Sequence, residues 1–170
     1  YKKTKFSTIT VGFNRRFSKH SIGIKKSLST SNGRINIIAT MNAGSIPDDH
    51  WVHDLDLGGG RIVGEACHMI DLCVFLAGSL VKSVCANSLG NNTNLKSDNV
   101  SIMLNFINGS NAVINYFSNG STNYGKEKLE LLGKIQMMQI LLYRIRERAG
   151  SNSLEKLSNL ILSQEKDFLI

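Results

Sequence analysis

The sequence predicts an α+β domain: a predominantly antiparallel, open β-sheet with helices on one face. Three observations carry that expectation. Apolar residues recur at helical spacing between Arg61 and Leu76. From Leu80 onward the pattern turns to β-type alternation. Within that region Asn108-Gly109 separates two alternating runs, the strongest short-range hairpin signal.

Each element can be justified in order. "KFSTITVGFNRRF" (5–17) is rich in β-branched residues and reads as a strand. Ser18 is placed to cap a helix over "KHSIGIKKSLS", with Ile22 and Leu28 on its apolar stripe. After the turn "STSNG", the run "RINIIATMNAG" (34–44) alternates partly and reads as a strand. Residues 45–60 are polar, rich in Asp and His and closed by three glycines, which makes them a loop. From Arg61 to Leu76, residues Ile62, Ala66, Met69, Ile70, Cys73 and Leu76 share one helical face. Glu65, His68 and Asp71 fall on the other side, beside Leu72 and Phe75, and Gly78 ends the helix.

A strand over 80–90 follows. In the hairpin, Val100, Ile102, Leu104 and Phe106 lie on one face, and Ser101, Met103 and Asn105 on the other. "KEKLELLG" (126–133) and "IQMMQILLY" (135–143) read as a further hairpin, the second run being compatible with a helix as well. Residues 152–170 carry a helical pattern in Leu154, Leu157, Leu160 and Ile161.

With 170 residues, 42% of them apolar, the chain has material for one domain with a real core. Its net charge of +7 gathers near the two ends, from Lys2 to Lys26 and at Arg144, Arg146 and Arg148. That reads as solvated surface, with anion binding as the alternative. No zinc finger, RNP aromatics or helix-turn-helix is present, so no nucleic-acid partner is expected. Cys67, Cys73 and Cys85 are odd in number and lack CxxC spacing. No secretory signal and no bilayer-length apolar run occurs. A cytoplasmic protein without a membrane partner is the default expectation. The chain begins at Tyr1, almost inside a strand-like run, which suggests a fragment.

The chemistry concentrates in "LDLGGGRIVGEACHMIDLCVFLAG" (55–78). A dinucleotide cradle would need G-x-G-x-x-G directly after a buried strand; here Gly64 comes one position late and "HDLDL" is no such strand. The glycines instead suit a tight turn into the helix and a close backbone approach. His50, His53, Cys67 and His68 are possible metal ligands, but neighbours on a helix point about 100° apart, which counts against Cys67 and His68 sharing one ion; no metal is expected. His68 suits proton transfer near neutral pH, and Glu65 and Asp71, one turn to either side, could orient it. Spacing leaves this even with a satisfied, partly buried histidine.

"VGFNRRFSKH" (11–20), "NAGSIPDDHWVHD" (42–54) and "GGGRIVGEACHMIDLCVFLAG" (58–78) together resemble the Gfo/Idh/MocA oxidoreductases, closest to their bi-domain branch. The resemblance covers about residues 5–132 and leaves a poorly matched tail from about 134. It implies an N-terminal Rossmann domain that binds NAD or NADP, absent from this chain, and a C-terminal α/β domain whose open sheet packs against a second subunit. His68 matches the histidine implicated in substrate binding and proton transfer, and Asp71 the aspartate three residues later. The family's aspartate four before the histidine is Gly64 here; the adjacent Glu65 resembles the branch's GE-x-CH variant. Arg15 and Arg16 match a segment near the cofactor and substrate cleft. Trp51 and Asp54 match a pocket-lining loop, and Asn42 is expected in the same cleft.

The resemblance thus implies the substrate-binding and oligomerisation half of an NAD(P)-dependent oxidoreductase acting on a sugar, nucleotide sugar or cyclitol hydroxyl. Such a half would be inactive alone and would not hold the dinucleotide tightly. Two other readings stay open: a non-catalytic dimerisation or anion-binding module of the same fold, and a zinc hydrolase using His50, His53 and His68.

Overall fold

The computed structural model describes residues 10–29, 33–90, 98–133 and 141–143. Helix α1 spans Lys19–Ser29 and α2 spans Cys67–Ala77. The strands are β1 (Ile35–Asn42), β2 (Val81–Ser88), β3 (Val100–Phe106), β4 (Asn111–Phe117), β5 (Glu127–Gly133) and β6 (Leu141–Tyr143). Short 3₁₀ turns cover Arg15–Phe17 and Trp51–His53, and a π-helical turn, Ile62–Ala66, leads directly into α2.

Local chemistry explains most boundaries. The Ser18 hydroxyl accepts from the Ser21 amide at 3.1 Å and caps α1. Gly78, at φ 63°, closes α2 in the left-handed conformation that glycine adopts without steric cost. At the β3–β4 turn, Gly109 has φ 83°, and Asn108 Oδ1 accepts from the Ser110 amide.

The six strands form one sheet in the order β2-β3-β4-β1-β5-β6. Four of the pairings are antiparallel, but β1 lies beside β4 in parallel, from Asn36↔Asn111 to Asn42↔Phe117. The sheet is therefore predominantly antiparallel, as expected, but mixed through this one parallel pair. Periodicity marks strands but not their partners. Here β1 is inserted next to β4 only after the chain has crossed through α2 and the β2–β3 pair.

One face of the sheet is the core. Ile37, Ala39, Ile102, Leu104, Ala112, Ile114, Leu129 and Leu131 pack with Met69, Leu72, Cys73 and Leu76 of α2 and Ile24 and Leu28 of α1. Each buried Leu or Ile contributes about 1.5–3 kcal/mol. Leu72 was expected beside the polar stripe but is only 2% exposed, because α1 and the Arg15–Phe17 turn pack over that side of α2. The opposite face carries an apolar row, Ile38–Val113–Met103–Cys85, in register across β1, β4, β3 and β2. Asn36, Asn111 and Asn105 flank it on one side, Thr40, Asn115 and Ser101 on the other.

Two further expectations change. The strand read over 5–17 is not one within the described residues 10–17, where the Arg15–Phe17 turn is held by ion pairs to α2 and β5; residues 5–9 lie outside the description. The helix read over 61–76 is a π turn joined to an α-helix. The run 135–143 ends in β6, antiparallel to β5, and the helical pattern over 152–170 lies outside the described residues.

The glycine run is a packing device. A Cβ on Gly58 would sit 2.6 Å from Val52 Cα and 2.7 Å from the Trp51 carbonyl oxygen. Gly58→Ala is expected to cost about 1–3 kcal/mol in urea unfolding, since backbone cannot yield there. Gly64→Ala, with nothing within 4 Å of the added carbon, is expected to stay within about 0.5 kcal/mol of wild type.

Candidate functional site

The end of the sheet at which β1 and its parallel neighbour β4 finish gathers most of the ionisable side chains singled out above. Arg61 is the centre of this end, at 1% exposure. Its Nη1 donates to the Gly44 carbonyl just beyond β1 at 2.7 Å, its Nε to Glu65 Oε1 at 3.2 Å, and its guanidinium lies 5.7 Å from the centroid of the Tyr116 ring. The Tyr116 hydroxyl donates to Glu65 Oε2 at 2.9 Å. Burial, and then the hydrogen bond to Glu65, push the phenol well above its ordinary pKa. Both Glu65 oxygens are thereby occupied, and the π turn is tied to the ends of β1 and β4.

His68 stands one residue into α2, half-buried, with Phe13 packed edge-on at 5.7 Å between ring centroids. Its Nδ1 is buried and has no hydrogen-bond partner. Neither flanking carboxylate serves it. Glu65 is taken by Arg61 and Tyr116, and Asp71 by Arg16, whose Nε donates to Oδ2 at 2.7 Å and whose Nη2 pairs with Oδ1. The structure therefore does not join Glu65, His68 and Asp71 in a hydrogen-bonded triad. The Asp71 carboxylate raises the Arg16 pKa through that hydrogen bond, and the guanidinium also lies 5.5 Å from the centroid of Phe75.

The other expected site residues sit around this centre. Arg15 binds both Glu127 oxygens from Nε, each at 3.2 Å, so its charge is matched by β5. Asn42 ends β1, and its Nδ2 donates to the Ser121 carbonyl at 2.8 Å. Its Oδ1 is sealed by Gly120, where any Cβ would collide with it. Asn42 thus pins the β4–β5 loop. Asp54 Oδ1 accepts from the amides of Asp56 and Leu57, so it shapes its own loop. Trp51 is 61% exposed, tilted against His50 at 5.6 Å.

Among the described residues no three His, Cys, Asp or Glu side chains are grouped to hold a metal ion. His50 Nδ1 accepts from the Val52 amide and His53 faces Asp98, so the histidines of the zinc reading point to different partners. Gly58 packs on the Trp51–Val52 backbone, and the glycine run has the form of a packed turn, with no strand leading into it as a dinucleotide cradle requires.

A family model described as the GFO/IDH/MocA C-terminal domain matches residues 29–139. The chain belongs to that family. Solved structures of Gfo/Idh/MocA-like fold agree. A putative myo-inositol dehydrogenase from Sinorhizobium meliloti 1021 superposes with a TM-score of 0.62 at 22% identity, covering 86% of this chain and 44% of that one. A myo-inositol dehydrogenase from Corynebacterium glutamicum gives 0.59 at 22%, covering 84% and 43%. An aldose-aldose oxidoreductase from Caulobacter crescentus, complexed with glycerol, gives 0.55 at 17%, covering 88% and 52%. The chain thus spans about half the length of these proteins or less. No curated protein matches the sequence.

Sequence reasoning missed Arg61, Tyr116, Asp98 and Glu127. Arg61 left a signal, since it lies four residues before Glu65 on the same helical face; Tyr116 left none, being one more apolar position in an alternating strand. Arg61→Met is expected to cost about 3 kcal/mol in urea unfolding, because it strands Glu65, while Tyr116→Phe removes one hydrogen bond and costs about 1 kcal/mol. The thiols give a second check. Burial pushes Cys73 up to about 12 and also raises Cys67, whereas Cys85 is exposed. Native protein at pH 8 is expected to react with iodoacetamide first at Cys85, more slowly at Cys67, and at Cys73 only after unfolding.

Proposed function

We propose that this chain is the substrate-binding half of an NAD(P)-dependent oxidoreductase acting on a hydroxyl of a sugar, nucleotide sugar or cyclitol. The observation that carries the reading is His68: a half-buried imidazole at the ends of the parallel strands, with an Nδ1 that makes no hydrogen bond, in a domain of the Gfo/Idh/MocA family. In this reading the dinucleotide, NAD or NADP, accepts or returns the hydride and is held by a Rossmann domain outside these residues. The described residues do not fit the role of a phosphate cradle, so no step is assigned to them there.

The chain's own contribution is to bind and to move a proton. The His68 imidazole takes the hydroxyl proton as the carbinol is oxidised and returns it in reduction. Asp71, bound to Arg16, holds the flank of the helix that carries it, and Glu65, bound to Arg61, holds its entry. Trp51 offers a flat apolar surface to the C–H face of a sugar ring. Arg15 with Glu127, Asn42 with Ser121, and Asp54 within its loop keep the surrounding segments in place.

The neighbours support the substrate class through their names: one is a myo-inositol dehydrogenase and another a putative one, a third is an aldose-aldose oxidoreductase, and a fourth a levoglucosan dehydrogenase in complex with NADH. We further propose a homodimer through the outer sheet face, where the Ile38–Val113–Met103–Cys85 row is apolar, and a reducing, cytoplasmic compartment, in keeping with three free cysteines. A second reading, a non-catalytic dimerisation module, draws on one observation: both carboxylates beside His68 are occupied elsewhere.

The test is to express the chain joined to a Rossmann half from its own gene and to assay NAD(P) reduction on cyclitols and aldoses. The expected result is turnover that falls by about 10²–10⁴-fold in kcat for His68→Asn with KM little changed, and no turnover by the 170-residue chain alone. Absence of turnover in the joined protein favours the module.

A further inference from the structure

Three buried side-chain polar atoms among the described residues have no hydrogen-bond partner: Asn42 Oδ1, His53 Nε2 and His68 Nδ1. All three belong to the end of the sheet where β1 and β4 finish. Asn42 Oδ1 packs directly against Gly120, where an added Cβ would collide with it. His68 is the residue of the proposed chemistry. His53 remains unexplained.

His53 Nδ1 stands 3.3 Å from Asp98 Oδ2, with the two side chains 25% and 19% exposed. The Asp98 carboxylate occupies the Nδ1 side of the ring, so Nε2 is the nitrogen left to meet a ligand. The turn that carries His53 is anchored: Val52 is buried, and Gly58 packs on the backbone of Trp51 and Val52. Asp98 also lies close enough to Tyr116 to disfavour ionisation of its phenol, and Tyr116 binds Glu65 on the turn that leads to His68. A simple tether between loop and sheet would need only the Nδ1 side of the ring. It gives no reason for a second nitrogen to be removed from water and left without a partner.

We propose that His53 is a second ligand-binding imidazole, whose Nε2 makes a hydrogen bond with a hydroxyl of a polyol ligand, and that Asp98 is its positioning residue. The proposal rests on the polyol reading of the His68 site and adds a specificity contact to it. The ligand class follows from the chemistry: a hydroxyl can donate to Nε2 or accept from it, so it satisfies either protonation state of the ring without bringing charge.

The test uses the 170-residue chain labelled with ¹⁵N at histidine, titrated with myo-inositol and, separately, with glucose. The expected result is that with at least one probe His53 and His68 signals shift along one binding curve. His53→Phe is expected to weaken that probe about tenfold while His68 still responds; His53→Gln replaces it if the Phe variant does not fold. Asp98→Asn is expected to shift the His53 tautomer equilibrium and leave melting little changed. A His68 response without a His53 response, or unchanged affinity in the His53 variant, overturns this inference and leaves the proposed function standing. If neither imidazole responds to either probe, this inference falls, and the turnover assay of the joined protein decides the proposed function.

Discussion

The end of the sheet that carries the candidate site depends on one buried cation. Arg61 is 1% exposed, and a guanidinium so far from water is tolerable only if its donors are used. It uses them on the Gly44 carbonyl, on Glu65 and, through its face, on the Tyr116 ring. Those three partners belong to the segment after β1, to the π turn and to β4. One side chain therefore ties the crossover connection to the strand ends. The π turn closes its hydrogen bonds one residue later than an α-helix does; Arg61 and Glu65, bonded to each other and to Gly44 and Tyr116, hold it at both ends.

The same electrostatic matching sets the character of the site. Arg15 meets Glu127, Arg16 meets Asp71, and Arg61 meets Glu65. Two basic residues near the start of the described chain, Arg15 and Arg16, are thereby matched locally. His68 is left between matched pairs, with Phe13 against its ring and no carboxylate on its Nδ1. Its surroundings differ from the carboxylate–imidazole relay that three-residue spacing suggests. Packing against Phe13 orients the imidazole, and the ion pairs fix the helix around it.

Much of the fold was legible in the sequence. Ser18, Gly78 and Asn108-Gly109 are local signals whose effect needs no distant partner, and each marks the boundary it was expected to mark. The alternation in Val100–Phe106 reports which face of a strand is buried, and Ile102, Leu104 and Phe106 are indeed inside. The motif from Gly58 to Gly78 brought His68 to notice, because imidazole on a helix between carboxylates is a chemical pattern as well as a positional one. Less legible were the partners of each charge. Glu65 and Asp71 look equivalent about His68 in sequence, yet each is claimed by an arginine.

The sequence by itself determined most element types, the core-facing residues of β3 and, Leu72 apart, of α2, and the family, since these depend on periodicity, caps and ordered motifs along the chain. Only the tertiary structure decided that β1 lies parallel to β4, that residues 15–17 form a turn, and that Arg61 and Tyr116 enclose Glu65. Those outcomes depend on contacts such as Arg16–Asp71, 55 positions apart, and Arg15–Glu127, 112 positions apart. No local pattern encodes which carboxylate a guanidinium will find; the packing of strands and helices settles it by bringing one within reach and excluding water from the rest.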